Sequence, residues 1–124
     1  MGGNYIFSFE KLLVWQKSMD LVSNIYRITK TFPKSEQFGI TSQIRRASFS
    51  ICNNIAEGSG KIPAKEKAHF TSIAYASALE TINILIISQE IDLLPKNEYL
   101  ELRNSLEEIT SMLSGLRKSQ LTKH

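Results

Sequence analysis

Between Thr41 and Gly60 the chain reads TSQIRRASFSICNNIAEGSG, and its apolar residues fall on two sides of one helix. Ile40, Ile44, Ala47, Ile51 and Ile55 recur at steps of four, three, four and four, the spacing of a single helical face. Phe49, Cys52 and Ala56 form a second apolar strip, and Arg46, Ser50, Asn53 and Glu57 lie between the two. A surface helix needs one apolar stripe, so a helix with two has neighbours on more than one side. Arg46 and Glu57 stand about three turns apart, too far to pair with each other. A partner for either comes from another helix or another subunit. Gly58 and Gly60 are expected to end this helix as C-cap glycines.

The flanking segments supply the neighbours. Helix one is expected over about Glu10–Thr31, with one stripe of Leu12, Trp15, Met19, Val22 and Tyr26 and another of Val14, Leu21, Ile25, Ile28 and Phe32. Trp15 is expected to be mostly buried with Leu12 and Met19. Pro33 disfavours helical geometry in the residue before it, and Ser35 with Glu36 and Gln37 makes a fair start for helix two. Pro63 suits the first turn of helix three, expected to about Asp92. Its seam is Phe70, Ile73, Ser77, Ile84 and Ile91, thickened by Ala74 and Thr81, and small residues there let a neighbouring backbone come close. A second stripe holds Tyr75, Leu79, Ile82 and Ile86. Helix four, from about Lys96 to Ser119, carries Tyr99, Leu102, Leu106, Ile109, Leu113 and Leu116 at three-four-three-four-three spacing, a coiled-coil-like seam. Short connections make consecutive helices antiparallel neighbours. The expected fold is all-α, an antiparallel up-down-up-down four-helix bundle over residues 9–120, with a disordered lead over 1–8 and a flexible basic tail over 121–124.

The chain has 124 residues, enough for one domain with a sizeable core. No continuous apolar run approaches the roughly 20 residues of a membrane span, and no signal peptide is visible at the N-terminus. The lone Cys52 precludes an intramolecular disulfide, and a cytoplasmic location is expected. The formal charge of +3 is a mild basic bias, too small for a strong nucleic-acid footprint. The cations nevertheless cluster: Lys61, Lys65 and Lys67 at the start of helix three, and Arg117, Lys118 and Lys123 in a tail that holds no acid after Glu108. These six are the candidate contacts to RNA or DNA phosphates.

Catalytic and metal chemistry find little support. Cys52 lacks a recognisable base in the sequence, and His69 is the one internal histidine. Glu66-Lys67-Ala68-His69 fits Glu-x-x-His in a single copy, where a di-metal bundle site needs two copies and two further glutamates. Gly58-Ser59-Gly60-Lys61 follows a helix rather than a strand and lacks the full phosphate-loop spacing. No metal and no cofactor are therefore expected. The polar set Gln43, Arg45, Arg46, Asn54 and Glu57 remains. If helices two and three are antiparallel, Glu80 stands within reach of Arg45 or Arg46, and such a pair fixes register or forms a polar contact in an oligomer.

The run QIRRASFSICNNIAEGSGK resembles the signature of the bacterial four-helix-bundle family named after proteins encoded in 23S rRNA intervening sequences. The matching positions are Gln43, Arg45, Arg46, Ala47, Ser50, Ile51, Asn54, Ile55, Ala56, Glu57 and Gly58. Phe9, Leu12, Trp15, Gln16, Lys17, Tyr26, Phe32 and Pro33 are similar to the family's opening helix, and Ile73, Ala74, Ser77 and Glu80 to its third. Cys52 stands where proline is common, and Tyr75-Ala76 replaces a frequent Arg-Gly. The resemblance implies a ring-like homopentamer, and relatives that serve as accessory proteins of diversity-generating retroelements imply a nucleic-acid partner.

Three readings follow. The first is a non-enzymatic homo-oligomer that binds RNA or DNA weakly, with Phe49, Cys52 and Ala56 at the subunit interface. The second is a structural protein–protein module without nucleic-acid affinity. The third is a small hydrolase using Cys52 or Glu57.

Overall fold

The apolar periodicities resolve into four long helices in the computed structural model, which describes residues 5–122. They are α1 (Leu13–Thr29), α2 (Ile40–Ser59), α3 (Ala64–Glu90) and α4 (Lys96–Thr122), and no strand occurs among the described residues. Each helix packs on its sequence neighbours, and α1 closes the square against α4. The pairs Arg46–Glu80, Ser50–Ser77 and Gly58–Phe70 climb α2 while descending α3, so these helices are antiparallel. Thr71–Gln120 and Ser72–Arg117 set the same relation between α3 and α4.

Helix one departs from its expected start at Glu10. Ser8–Lys11 form a 3-10 turn, and Leu12 is extended (φ −76°, ψ 123°) before α1 begins. The cause is local. The Glu10 carboxylate turns back to accept the Phe7 N–H at 2.9 Å, and the Gln16 side-chain amide donates to the Glu10 carbonyl at 2.7 Å. Of the expected disordered lead, residues 1–4 lie outside the described region, Tyr5–Phe7 carry no regular secondary structure, and Ser8 opens the turn. Helix two begins later than Ser35 suggested. Lys34–Glu36 make another short turn, Gly39 takes a backbone conformation outside the usual wells (φ −108°, ψ −114°), and α2 starts at Ile40.

The helix ends also correct the glycine reading. Gly60 is the C-cap of α2 but keeps a right-handed φ of −87°. Gly58 is helical and buried, and a Cβ there would lie 2.8 Å from the Phe70 Cβ. Gly58 therefore serves close approach of α3, not chain reversal. The left-handed cap sits at the end of α3 on Asp92 (φ 64°), with Leu93 N–H donating to Ser88 O at 2.8 Å and Asp92 N–H to Gln89 O at 3.2 Å. That pair of bonds is a Schellman motif built on a non-glycine residue. Helix four extends beyond Ser119 to Thr122.

The core is the inner stripe of each helix: Leu21, Ile25 and Ile28, then Ile44, Ile51 and Ile55, then Ile84 and Leu85, then Leu106, Ile109 and Leu113. Helix α3 contributes small residues, with Ala74, Ser77, Ala78 and Thr81 buried. Its length and apolar content match a membrane-crossing helix, and burial of this stripe against α2 and α4 accounts for only part of that content. The buried hydroxyls of Ser18, Thr29, Thr81 and Ser88 donate to carbonyls one turn back, so they carry no unmet bond into the core.

Trp15 and Leu12 are partly buried and pack against the core as expected, whereas Met19 is 45% exposed, because Val14, Leu21, Ile25 and Ile28 occupy the bundle axis. On α3, Tyr75, Leu79 and Ile86 are exposed, along with Ile87.

Candidate functional site

The up-down topology carries the start of α3 and the end of α4 to one end of the bundle. Lys61, Lys65 and Lys67 thereby share an end with Arg117 and Lys118, although about fifty residues of sequence separate the groups. Lys67 Nζ donates to the Ser59 carbonyl at 3.2 Å, tying the α2 terminus to α3. Lys61 Nζ lies 5.2 Å from the Phe70 ring centroid, a cation–π distance. Arg117 Nε donates to Ser72 Oγ at 2.7 Å, which lays the guanidinium across the α3–α4 groove. Lys65 and Lys118 are exposed. Lys123 lies outside the described residues. Glu57 and Glu66 share this end and offset part of its charge.

The same end opens into a cavity of about 530 Å³, lined by residues from α2, α3, α4 and the N-terminal turn. Leu12, Ile55, Ile62 and Leu116 make its apolar walls, and Lys67, Thr71, Ser119 and Gln120 its polar ones. The buried Thr71 hydroxyl donates to Gln120 Oε1 at 2.8 Å. Sequence reasoning missed this cavity. Thr71 and Gln120 are far apart in the chain, and no local pattern joins them.

The family-type polar set is dispersed. Arg46 Nη2 bonds Glu80 Oε2 at 3.1 Å on the surface, where an ion pair contributes about 0–1 kcal/mol. Arg45 turns the other way, over the Tyr26 ring at 4.4 Å and donating from Nε to Thr29 Oγ1 at 2.9 Å. Asn54 donates to the Ser50 carbonyl at 2.8 Å, and Ser50 Oγ lies 2.8 Å from Ser77 Oγ, a hydroxyl ladder between α2 and α3. Gln43 and Glu57 are exposed.

Phe49, Cys52 and Ala56 do come together. With Phe9, Trp15, Met19 and Val22 they line an apolar groove of about 320 Å³ between α1 and α2. Phe49 is 49% exposed there, and Phe9 packs edge-on to Trp15 at 5.1 Å. Burial pushes the Cys52 thiol up to about 11, which disfavours the thiolate a nucleophile needs. His69 is exposed and edge-on to Phe70 at 5.8 Å. Among the described residues no group of three or more His, Cys, Asp or Glu gathers where a metal could sit.

Comparison with known proteins agrees with this architecture. A family model described as 23S rRNA-intervening sequence protein matches residues 10–115. No curated protein matches the sequence significantly. Among solved structures, a protein of unknown function from the S23 ribosomal protein family of Bacteroides thetaiotaomicron superposes with a TM-score of 0.77. The two are 24% identical, and the alignment covers 86% of this chain and 99% of that one, a likeness of fold.

Proposed function

The chain belongs to the 23S rRNA-intervening sequence protein family, and from that membership we propose a non-enzymatic helical scaffold that assembles with copies of itself and binds RNA or DNA weakly through its basic end. The observation that carries the nucleic-acid part is the meeting of Lys61, Lys65 and Lys67 with Arg117 and Lys118 at one end of the bundle. One chain at +3 is a poor polyanion binder. A ring repeats the basic end in every subunit, and linked weak contacts gain through effective concentration. A pentamer is what the family resemblance implies.

Self-assembly is supported by apolar surface that a lone bundle leaves in water. Tyr75, Leu79, Ile82 and Ile86 follow a four-three-four spacing on the outer side of α3, and all but the half-buried Ile82 are exposed. The groove around Phe49 lies on a different side, between α1 and α2. Apolar surfaces on separate sides suit head-to-tail contacts, which close into rings when the rotation permits. The raised thiol of Cys52 argues against the cysteine form of the hydrolase reading, because a nucleophilic cysteine requires the opposite shift.

The deciding measurement is fluorescence anisotropy with a labelled RNA at about 50 and 200 mM salt, where phosphate-driven binding falls steeply. Replacing Lys61, Lys65 and Lys67 with Ala is expected to weaken binding across sequences. No binding at low salt, with the assembly intact, leaves the protein–protein module as the better reading. Light scattering is expected to give several times 14.0 kDa, and Phe49→Asp to dissociate the assembly while preserving helicity. A wild-type monomer overturns the assembly.

A further inference from the structure

We propose that the cavity at the basic end receives an unstacked nucleobase, so that the protein prefers unpaired RNA or DNA over duplex. The inference rests on the nucleic-acid reading above and names the substrate class of that same end. A volume of about 530 Å³ falls within the range of small-ligand pockets. Its apolar walls include Leu12, Ile55 and Leu116, and apolar side chains of this kind line the pockets that hold extruded bases. Its polar atoms are few and directed. The Thr71 hydroxyl lies 2.8 Å from Gln120 Oε1 and 3.1 Å from the Lys67 carbonyl, and the Gln120 amide lines the cavity as a polar group able to meet a base edge. Lys67 stands on the cavity wall, and Lys61 and Lys65 adjoin its lining residues Ile62 and Ala64. A phosphate at that rim belongs to the nucleotide whose base enters.

Two other concavities lack this combination. The groove beside Cys52 has no cation in its lining. The hollow around Tyr26 and Phe38 contains Arg45 and Arg46, but Glu80 pairs the second, which leaves one cation in that lining against three at the basic end. Phosphate contact alone would favour the duplex, whose charge density is higher. A preference for the single strand therefore reports base contact, and duplex bases cannot leave the stack without an unpairing cost.

The test is anisotropy at one fixed salt concentration. A labelled oligonucleotide is presented alone and annealed to its complement, in RNA and DNA versions. The expected result is about tenfold tighter binding of each single strand than of its duplex, which must meet the unpairing cost first. Ser119→Trp fills the cavity without removing any rim charge, and is expected to erase the single-strand advantage while leaving duplex binding unchanged. Circular dichroism and light scattering check that this variant keeps its helicity and assembly mass. If it does not, Gln120→Ala decides, with an expected loss of several-fold for single strands alone. Duplex binding equal to or tighter than single-strand binding overturns the cavity proposal and leaves the basic-end reading standing. So does a single-strand preference that survives Ser119→Trp in a natively folded protein. Absence of binding to either form sinks both.

Discussion

Helix α2 is apolar on two sides, and the two sides end differently. Toward α3 it offers Gly58, Ser50 and Ala47, and the helices close until the Phe70 Cβ occupies the space beside Gly58. Toward α1 it offers Phe49, Cys52 and Ala56, and an open groove of about 320 Å³ remains. The side toward α3 is the less apolar of the two, since Ser50 meets Ser77 there. What closes it is size: small residues let backbones approach, whereas the bulky Phe49 and Trp15 line an open groove. Tight closure builds stability, and the open side leaves surface for another molecule to cover.

Mutations separate the two sides by magnitude. Ile51, fully buried on the bundle axis, should cost about 3–4 kcal/mol on replacement by Ala, read from a denaturant titration. A loss below about 1 kcal/mol would mean that the axis tolerates a void and that the contrast is false. Gly58→Ala should cost about 2 kcal/mol, because the new methyl group overlaps Phe70. A smaller cost of Gly58→Ala in a Phe70→Gly background, which removes that Cβ, would assign the loss to the contact. Trp15→Ala should cost about 1–2 kcal/mol, less than for a fully buried tryptophan, since the ring is only partly buried beside the groove. If the cost in the assembled protein exceeds that in a dissociated Phe49→Asp background, the groove is covered by a partner copy.

The smallest expected effect is on Cys52. Its thiol pKa is raised to about 11 by burial, so the folded chain keeps a proton that the unfolded chain releases. The stability from the neutral thiol is fully present below about pH 9 and is lost as pH rises toward 11. Cys52→Ala should flatten that alkaline decline, and alkylation of the wild-type thiol at pH 8 should be slow. Rapid alkylation there would show a reactive thiolate and reopen the catalytic reading.

The sequence carried much of the fold and part of the site. The steps of three and four in α2 and α4 named their buried seams, and Ile44, Ala47, Ile51, Ile55, Leu102, Leu106, Ile109 and Leu113 are all buried. Pro33 and Pro63 marked connections because their ring chemistry acts locally. The start of α1 was less legible, since the Glu10 carboxylate's return to Phe7 competes with helix continuation. Within the candidate site the cationic residues were visible as types, but their common location was not.

What the sequence alone determined is the helical period, the approximate helix ends and the existence of two apolar stripes on several helices. These are consequences of spacing within one turn or two, and each helix carries them by itself. Only the tertiary structure decided which stripe of α1 and α3 faces the axis, that Gly58 makes room for Phe70, and that Thr71 meets Gln120 at the mouth of a cavity. Those outcomes depend on the volume the neighbouring helices leave, and that volume belongs to no single segment of the chain.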